Sequence, residues 1–455
     1  MKAVRFRGFL FALAPLAIAV MTSTAPASTT DEEEVNPNAM NVFWKDSLRF
    51  ESNSKKFKVK VGGRMHLDVT LTDEDSNDVP KIEDAVEFRR ARLYFSGEFY
   101  ENLEFKFQYD FAGFSTSDLS ISTTDANGDG NADDGGTSGT VKDNSPKFKD
   151  VYIGAKDFYG LGSLRLGQFK EPLGLEQLTS SNHITFVERS LADTFYAGRS
   201  TGIMYRKVCG ESKAERATFA VGMFRATDDR GNEQEDGSWV YTARATGLVY
   251  QGSGDNSGDL IHVGASATIR QGDSFRFRAR PEVHVGSRFV DTNSISAEDA
   301  SIFNVELASI FGPFSLQGEY VTAMVDGRGA TSNFDGQAWY AQASYMLTGE
   351  SRRYDNATAA FKGPKVADAW NGQTGCGHGA WELAARVSSI DLDDIDTTTV
   401  TQNGGDLLNF TAGLNWYMTN NHRVMLNYIH SELDNEPSNM DGSLDALLIR
   451  FQMAF

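Results

Sequence analysis

From Phe57 to Leu71 the chain alternates between two kinds of residue. Phe57, Val59, Val61, Met65, Leu67, Val69 and Leu71 are apolar, while Lys58, Lys60, Arg64, His66, Asp68 and Thr70 between them are polar or charged. Successive strand side chains point to opposite faces, so a strand separates these sets, whereas a helix scatters them around its circumference. The pattern recurs to the C-terminus. Ala91, Leu93, Phe95 and Phe99 oppose Arg90, Arg92, Ser96 and Glu98; Leu103, Phe105, Phe107, Tyr109 and Phe111 oppose Glu104, Lys106, Gln108 and Asp110. About sixteen such stretches follow one another. The last places Leu447, Ile449, Phe451, Met453 and Phe455 on one face and Ala446, Leu448, Arg450, Gln452 and Ala454 on the other. A final strand patterned to its last residue is expected to be paired on both edges, closing against the first.

The N-terminus says where such a sheet belongs. Lys2, Arg5 and Arg7 precede an apolar run from Phe9 to about Met21, and Ala25-Pro26-Ala27 follows as a small-residue cleavage site. Residues 1–27 therefore read as a secretory signal peptide. Its removal takes away three cations and no acid, moving the net charge from −19 to about −22. Residues 28–55 read as an acidic periplasmic segment whose stretch 28–47 is a mobile lead-in, and residues 56–455 as a β-barrel domain. No later stretch approaches the ~18 apolar residues of a spanning helix. Mean hydropathy is negative, but a transmembrane β-barrel averages its hydropathy away by alternation. Connections alternate in length. Tyr100–Asn102, Gly312–Pro313 and Thr419–Asn421 are short; Gly113–Pro146, Glu171–Thr201, Gln271–Ala300 and Asp391–Gly404 are long. Phe99, Tyr100, Phe158, Trp239, Trp416 and Tyr417 sit near strand ends, as interface girdles require. The expected fold is all-β: a transmembrane antiparallel barrel of about 16 strands in a bacterial outer membrane, bounded by lipid and lipopolysaccharide. A large soluble β-sandwich or secreted β-solenoid is the alternative.

Strong acidity argues against a nucleic-acid partner. The lumen-facing set is tilted the other way, with Lys58, Lys60, Arg64, Arg90, Arg92, Lys106, Lys156 and Arg165 against Asp68, Glu98, Glu104, Asp110 and Asp150. A basic lining in a low-dielectric tube favours small anions; the plainer reading is a set of wall ion pairs. Asp125, Asn127, Asp129, Asn131 and Asp133 follow the opening of an EF-hand loop, yet its twelfth position is Gly136 rather than Glu. That leaves an extracellular Ca2+ loop or a flexible Asp/Gly turn. No cofactor is required. Seven scattered histidines without metal-ligand spacing, and no nucleophile motif, point away from an enzyme. Cys209 and Cys376 could pair in an oxidising compartment or stay as two buried thiols.

The stretch "LGQFKEPLGLEQLTSSNHITFVERSLADTFYAGRSTGI" resembles the signature segment of the phosphate-selective porin O/P family. "FRRARLYFSGEFYENLEFKFQYDFAG", "MLTGESRRY" and "GAWELAARVSSIDL" are similar to further family segments in the expected order. The resemblance implies a sixteen-stranded homotrimeric porin, inserted by the barrel-assembly machinery through the strand ending in Phe455. It also implies that three connections enter the barrel and narrow it. Here these would be Glu171–Thr201, Gln271–Ala300 with Arg276, Arg278 and Arg280, and Thr348–His378 with Arg352, Arg353, Lys362 and Lys365. On that topology both cysteines lie on periplasmic turns, within geometric reach of a disulfide. Ser180 and Ser181 match the family's constriction loop. Gln177 stands where the family pattern has a lysine and brings no charge. Lys170, Arg189 and Arg199 are the nearby cations that would compensate. The expected function is passive diffusion of small anions, phosphate or polyphosphate among them. The alternatives are a general or cation-tolerant porin, and a structural or adhesive barrel.

Overall fold

The structure, a computed structural model, describes residues 36–74, 79–112, 147–210, 216–225, 238–253, 258–329, 333–373, 377–393, 404–435 and 440–455. The signal peptide, the Asp125–Asp133 loop and Cys376 lie outside the described residues.

Sixteen antiparallel strands close into one barrel. A hairpin of β1 (Met40–Trp44) and β2 (Leu48–Ser52) precedes them. The wall begins with β3 (Phe57–Glu74), β4 (Ala85–Phe99), β5 (Leu103–Asp110), β6 (Lys147–Ala155), β7 (Ser163–Phe169), β8 (Ser200–Cys209), β9 (Ala217–Arg225), β10 (Trp239–Gln251) and β11 (Leu260–Gln271). Short pairs β12 (Ser274–Phe275), β13 (Arg278–Ala279) and β14 (Val290–Asp291) lie in the next connection. The wall resumes with β15 (Ile295–Phe311), β16 (Phe314–Gly327) and β17 (Phe334–Met346). It is interrupted by β18 (Arg353–Asp355) and β19 (Ala360–Lys362), and ends with β20 (Ala380–Asp391), β21 (Asp406–Tyr417), β22 (His422–Asn435) and β23 (Met440–Ala454). Strand β23 pairs with β3 from Leu444↔Glu74 to Ala454↔Arg64. The terminal strand therefore has no free edge, as its alternation requires.

The two faces separate as the pattern demands. Met65, Leu71, Phe95, Phe107, Ile153 and Phe451 project outward, while His66, Asp68, Arg90, Asp110 and Arg450 are buried inside. One bulge re-aims a strand. The β3–β4 register runs from His66↔Arg90 directly to Leu67↔Phe88, leaving Arg89 as the extra residue. Phe88 stays outward and both Arg89 and Arg90 turn inward. The sequence carries this as a three-residue step, Phe88 to Ala91, in an otherwise two-residue apolar rhythm.

Three expectations are corrected. Residues 28–47 are not all a mobile lead-in, since β1 lies within them. Strand β2 pairs with the lower end of β3, Leu48↔Val61 to Glu51↔Lys58, covering the edge that β23 leaves because it stops at Phe455. Trp44 stacks on Phe455 with ring centroids 6.3 Å apart. Tyr417 is not a girdle residue: it points inward and donates its hydroxyl to Glu382 at 2.7 Å. Trp381 and Trp416, stacked at 5.4 Å, hold that part of the rim. The inserted loops are also shorter than expected, since β8 begins at Ser200 and β15 at Ile295.

Candidate functional site: a narrowed, basic lumen

The connection from Lys170 to Arg199 folds into the barrel. It contains one four-residue helical turn, Leu175–Leu178, and a 3-10 turn, Leu191–Phe195. Leu173, Leu175, Ile184, Phe186, Val187, Leu191 and Phe195 are buried against the wall. A segment with so little secondary structure must find partners for its peptide groups elsewhere. The wall from β15 to β23 supplies them. Glu319 accepts the N–H groups of Leu175 and Glu176, both at 2.7 Å, and the Tyr340 hydroxyl at 2.7 Å. Arg423 donates to the Ile184 and Thr185 carbonyls at 2.7 and 2.9 Å. Asn427 accepts the Val187 N–H at 2.7 Å. Arg450 grips Asp68 at 2.6 Å and Glu188 at 2.8 Å, and also donates to the Val187 carbonyl.

Two other connections meet this loop. From the extracellular side, Glu282 and the loop residue Glu176 share Arg386, and His284 contacts Glu87 at 2.8 Å. From the periplasmic side the β18–β19 hairpin rises. Arg352 donates to the His183 carbonyl at 2.7 Å, and the Phe361 N–H reaches the Thr179 hydroxyl at 3.4 Å. All three connections named from the sequence thus converge.

The loop covers one side of the wall and leaves a passage against β3–β9. Three chambers follow in series and share lining residues. A chamber of about 410 Å3 holds Arg89, Arg276, Arg278, Arg280 and Arg288 with Glu188, Asp193 and Glu282. A more enclosed middle chamber of about 530 Å3 is lined by eleven lysines and arginines against Asp150, Asp193 and Asp355. The periplasmic vestibule, about 890 Å3, carries nine lysines and arginines against four acids. The middle chamber contains Arg90, Arg92, Lys170, Gln177, Ser180, Ser181, Arg189 and Arg199; Arg276, Arg278 and Arg280 lie in the outer one.

Their situations differ. Arg90 is 4% exposed, lies 3.9 Å from Glu188 and contacts His66. Arg92 is bound to Asp110 at 2.6 Å and Arg199 to Asp150 at 2.7 Å. Arg276 pairs with Asp291 at 2.6 Å. Lys170 and Arg189 donate to loop carbonyls, those of Gln177 and Thr179 among them. Burial, then Arg189 and Arg199, push the Lys170 ammonium well below the usual lysine range. Gln177 spends its amide on the Ala197 carbonyl at 3.4 Å. Burial alone would raise the Glu188 carboxyl, but Arg89, Arg90 and Arg450 outweigh it and hold Glu188 well below its ordinary value. Among the described residues Cys209 ends β8 as a free thiol.

The residue that sequence reasoning did not single out is Arg64. Its guanidinium donates to Ser181 at 2.7 Å and Ser180 at 3.3 Å and pairs with no carboxylate among the described residues. Its Nε is buried without a partner. Arg64 spans the passage from β3 to the loop, and the signal was present in its lumen parity and in the Gly62-Gly63 pair before it. A Cβ at Gly62 would lie 2.3 Å from the Tyr94 hydroxyl, and one at Gly63 would lie 2.8 Å from the Phe455 ring. The glycines thus admit both aromatics beside the strand that carries Arg64.

The family model described as phosphate-selective porin O and P matches residues 59–455. The chain belongs to the phosphate-selective porin O and P family. Porin O of Pseudomonas aeruginosa is 26% identical over 487 residues, covering 99% of this chain and all of the relative. Among solved structures, OmpF of Salmonella typhi in complex with daunomycin aligns with TM-score 0.51 at 12% identity, covering 91% of this chain and 100% of the other. OmpT of Vibrio cholerae aligns with TM-score 0.50 at 10% identity, covering 88% and 98%. At those identities the likeness speaks for the fold alone. This chain is an outer-membrane porin.

Proposed function

We propose that this porin passes small anions by diffusion and performs no bond-making chemistry. The observation that carries the reading is Arg64, a guanidinium across the passage with no ion-pair partner among the described residues. A half-buried guanidinium with no ion-pair partner among the described residues leaves hydrogen-bonding capacity and charge unmet, so an anion entering there is stabilised. Ser180 and Ser181 replace part of the hydration shell as it does so. Lysines and arginines outnumber acids in all three chambers, so the potential stays favourable along the passage. Several weak stations in series let an ion leave as readily as it enters. Phosphate and polyphosphate belong to the solute class, although Gln177 contributes no charge from the loop side. The same reading has the chain assemble as a homotrimer among outer-membrane lipid and lipopolysaccharide. It has the barrel-assembly machinery take up the strand that ends in Phe455.

The reversal potential of single channels in a KCl gradient tests the reading. A chloride-preferring value, with current reduced by added phosphate, supports it. A cation-preferring value overturns it.

A further inference from the structure

Among the described residues, Arg189 and Asp193 line both the outer and the middle chamber, so they stand where one opens into the other. Their charges are not spent on each other. The Arg189 Nε lies 3.7 Å from Oδ1 of Asp193, beyond hydrogen-bond reach, and donates instead to the Glu176 carbonyl at 3.0 Å. A second nitrogen of the same guanidinium donates to the Thr179 carbonyl at 3.0 Å. The Asp193 carboxylate accepts no hydrogen bond among the described residues. Its Oδ1 is buried without a partner, while the side chain as a whole is 33% exposed, which leaves Oδ2 on the passage. The other acids of the two chambers are occupied. Asp150 holds Lys106 and Arg199, Asp355 holds Lys362, Glu188 holds Arg89 and Arg450, and Glu282 holds Arg386. Burial pushes the Asp193 carboxyl up from its ordinary value, and Glu176 and Glu188 push the same way against Arg189 and Lys170.

An acceptor with nothing to accept is out of place in a channel for anions, because it repels any solute that brings only lone pairs. It fits a solute that brings a proton. A tetrahedral oxyanion that keeps a hydroxyl offers one donor to the carboxylate, and its remaining oxygens accept from the cations that line the same chambers. We propose that Asp193 is the specificity-determining acceptor of the passage: it takes the hydrogen bond of phosphate, arsenate or phosphonate and disfavours sulfate and sulfonate, which carry no proton. A site built to hydrogen-bond a solute hydroxyl rejects the analogue that lacks it, since the site's own polar group is then left unpaired. This rests on the anion-preferring reading above and narrows its substrate class. Arg64 attracts any anion; Asp193 chooses among them.

The test compares methylphosphonate with methanesulfonate as blockers of the full-length porin in planar bilayers, buffered below the second ionisation of methylphosphonate. Both are then monoanions of the same shape, and only the phosphonate carries a hydroxyl. Methylphosphonate is expected to block at about tenfold lower concentration, the worth of one hydrogen bond to a charged acceptor. Asp193→Asn keeps the shape, removes the charge and adds a donor that serves either ion, so it should bring the ratio of the two blocking concentrations toward one. Equal block by the two ions in the wild-type channel overturns the inference whether or not the variant folds. A ratio that Asp193→Asn leaves unchanged overturns it as well, since the choice is then made elsewhere. A chloride-preferring channel with equal block removes only this inference. A cation-preferring reversal potential removes the anion reading beneath it.

Discussion

The two sides of the barrel interior are made from the same residue types at the same alternate positions, yet they serve different ends. On the side from β15 to β23, Arg386, Arg423 and Arg450 are at most 2% exposed, and each is consumed by a loop carbonyl or carboxylate. On the side from β3 to β9, Arg64, Lys106 and Arg165 line the open passage. The first set holds the constriction loop in place; the second lines the passage. An arginine on a lumen face is therefore ambiguous until the loop's path is known. The loop decides the matter by covering one side and leaving the other open.

The comparison can be broken most severely from the covered side. Arg450→Ala strands Asp68 and leaves Glu188 to Arg89 and Arg90, and removing one partner of such a buried pair costs about 3–5 kcal/mol. Thermal unfolding in detergent should fall accordingly, and channels should become noisy as the loop loses its anchor. Glu319→Gln is milder. The amide keeps one acceptor oxygen but opposes an N–H group with its own donor, leaving a loop peptide unsatisfied at a cost of about 1–3 kcal/mol. The drop in unfolding temperature should be smaller than for Arg450→Ala, with the mean conductance spread more widely.

A third effect is absent at neutral pH and grows as the pH falls. Burial, then Arg64 and Arg352, lower the His183 imidazole to about 3. The unfolded chain takes up a proton near pH 6.5 and the folded one only near 3. Between those values the unfolded state binds more protons, so stability from the neutral ring is full above about pH 6.5 and is lost as the pH falls toward 3. His183→Gln should therefore flatten the acid side of the stability profile. Parallel profiles for variant and wild type would remove His183 from the account.

Much of this was legible in the sequence, for a physical reason. Lipid outside and water inside impose a two-residue rhythm, which the wall strands carry except where a bulge such as that at Arg89 interrupts it. The loops were legible as long connections, and their entry into the barrel was implied by the family resemblance. Pairing was not. Arg90 and Arg92 looked like pathway residues because Glu188 lies far along the chain and Asp110 sits on the neighbouring strand. Arg89 was hidden by the bulge that turns it inward. Tyr417 read as a girdle aromatic because nothing local reveals Glu382 beneath it. The β1–β2 hairpin is only five residues per strand, too short for its alternation to stand out from the acidic stretch before it.

The most direct measurement of the account is the reversal potential in a KCl gradient for two charge reversals, Arg64→Glu and Arg92→Glu. Both place a carboxylate in the same chamber, but of the two only Arg64 has no ion-pair partner among the described residues. The account predicts that Arg64→Glu shifts the anion-to-cation permeability ratio more than Arg92→Glu, moving the channel toward cations. Equal shifts, or a larger one from Arg92→Glu, would contradict the claim that the uncompensated cation on the open wall sets the selectivity.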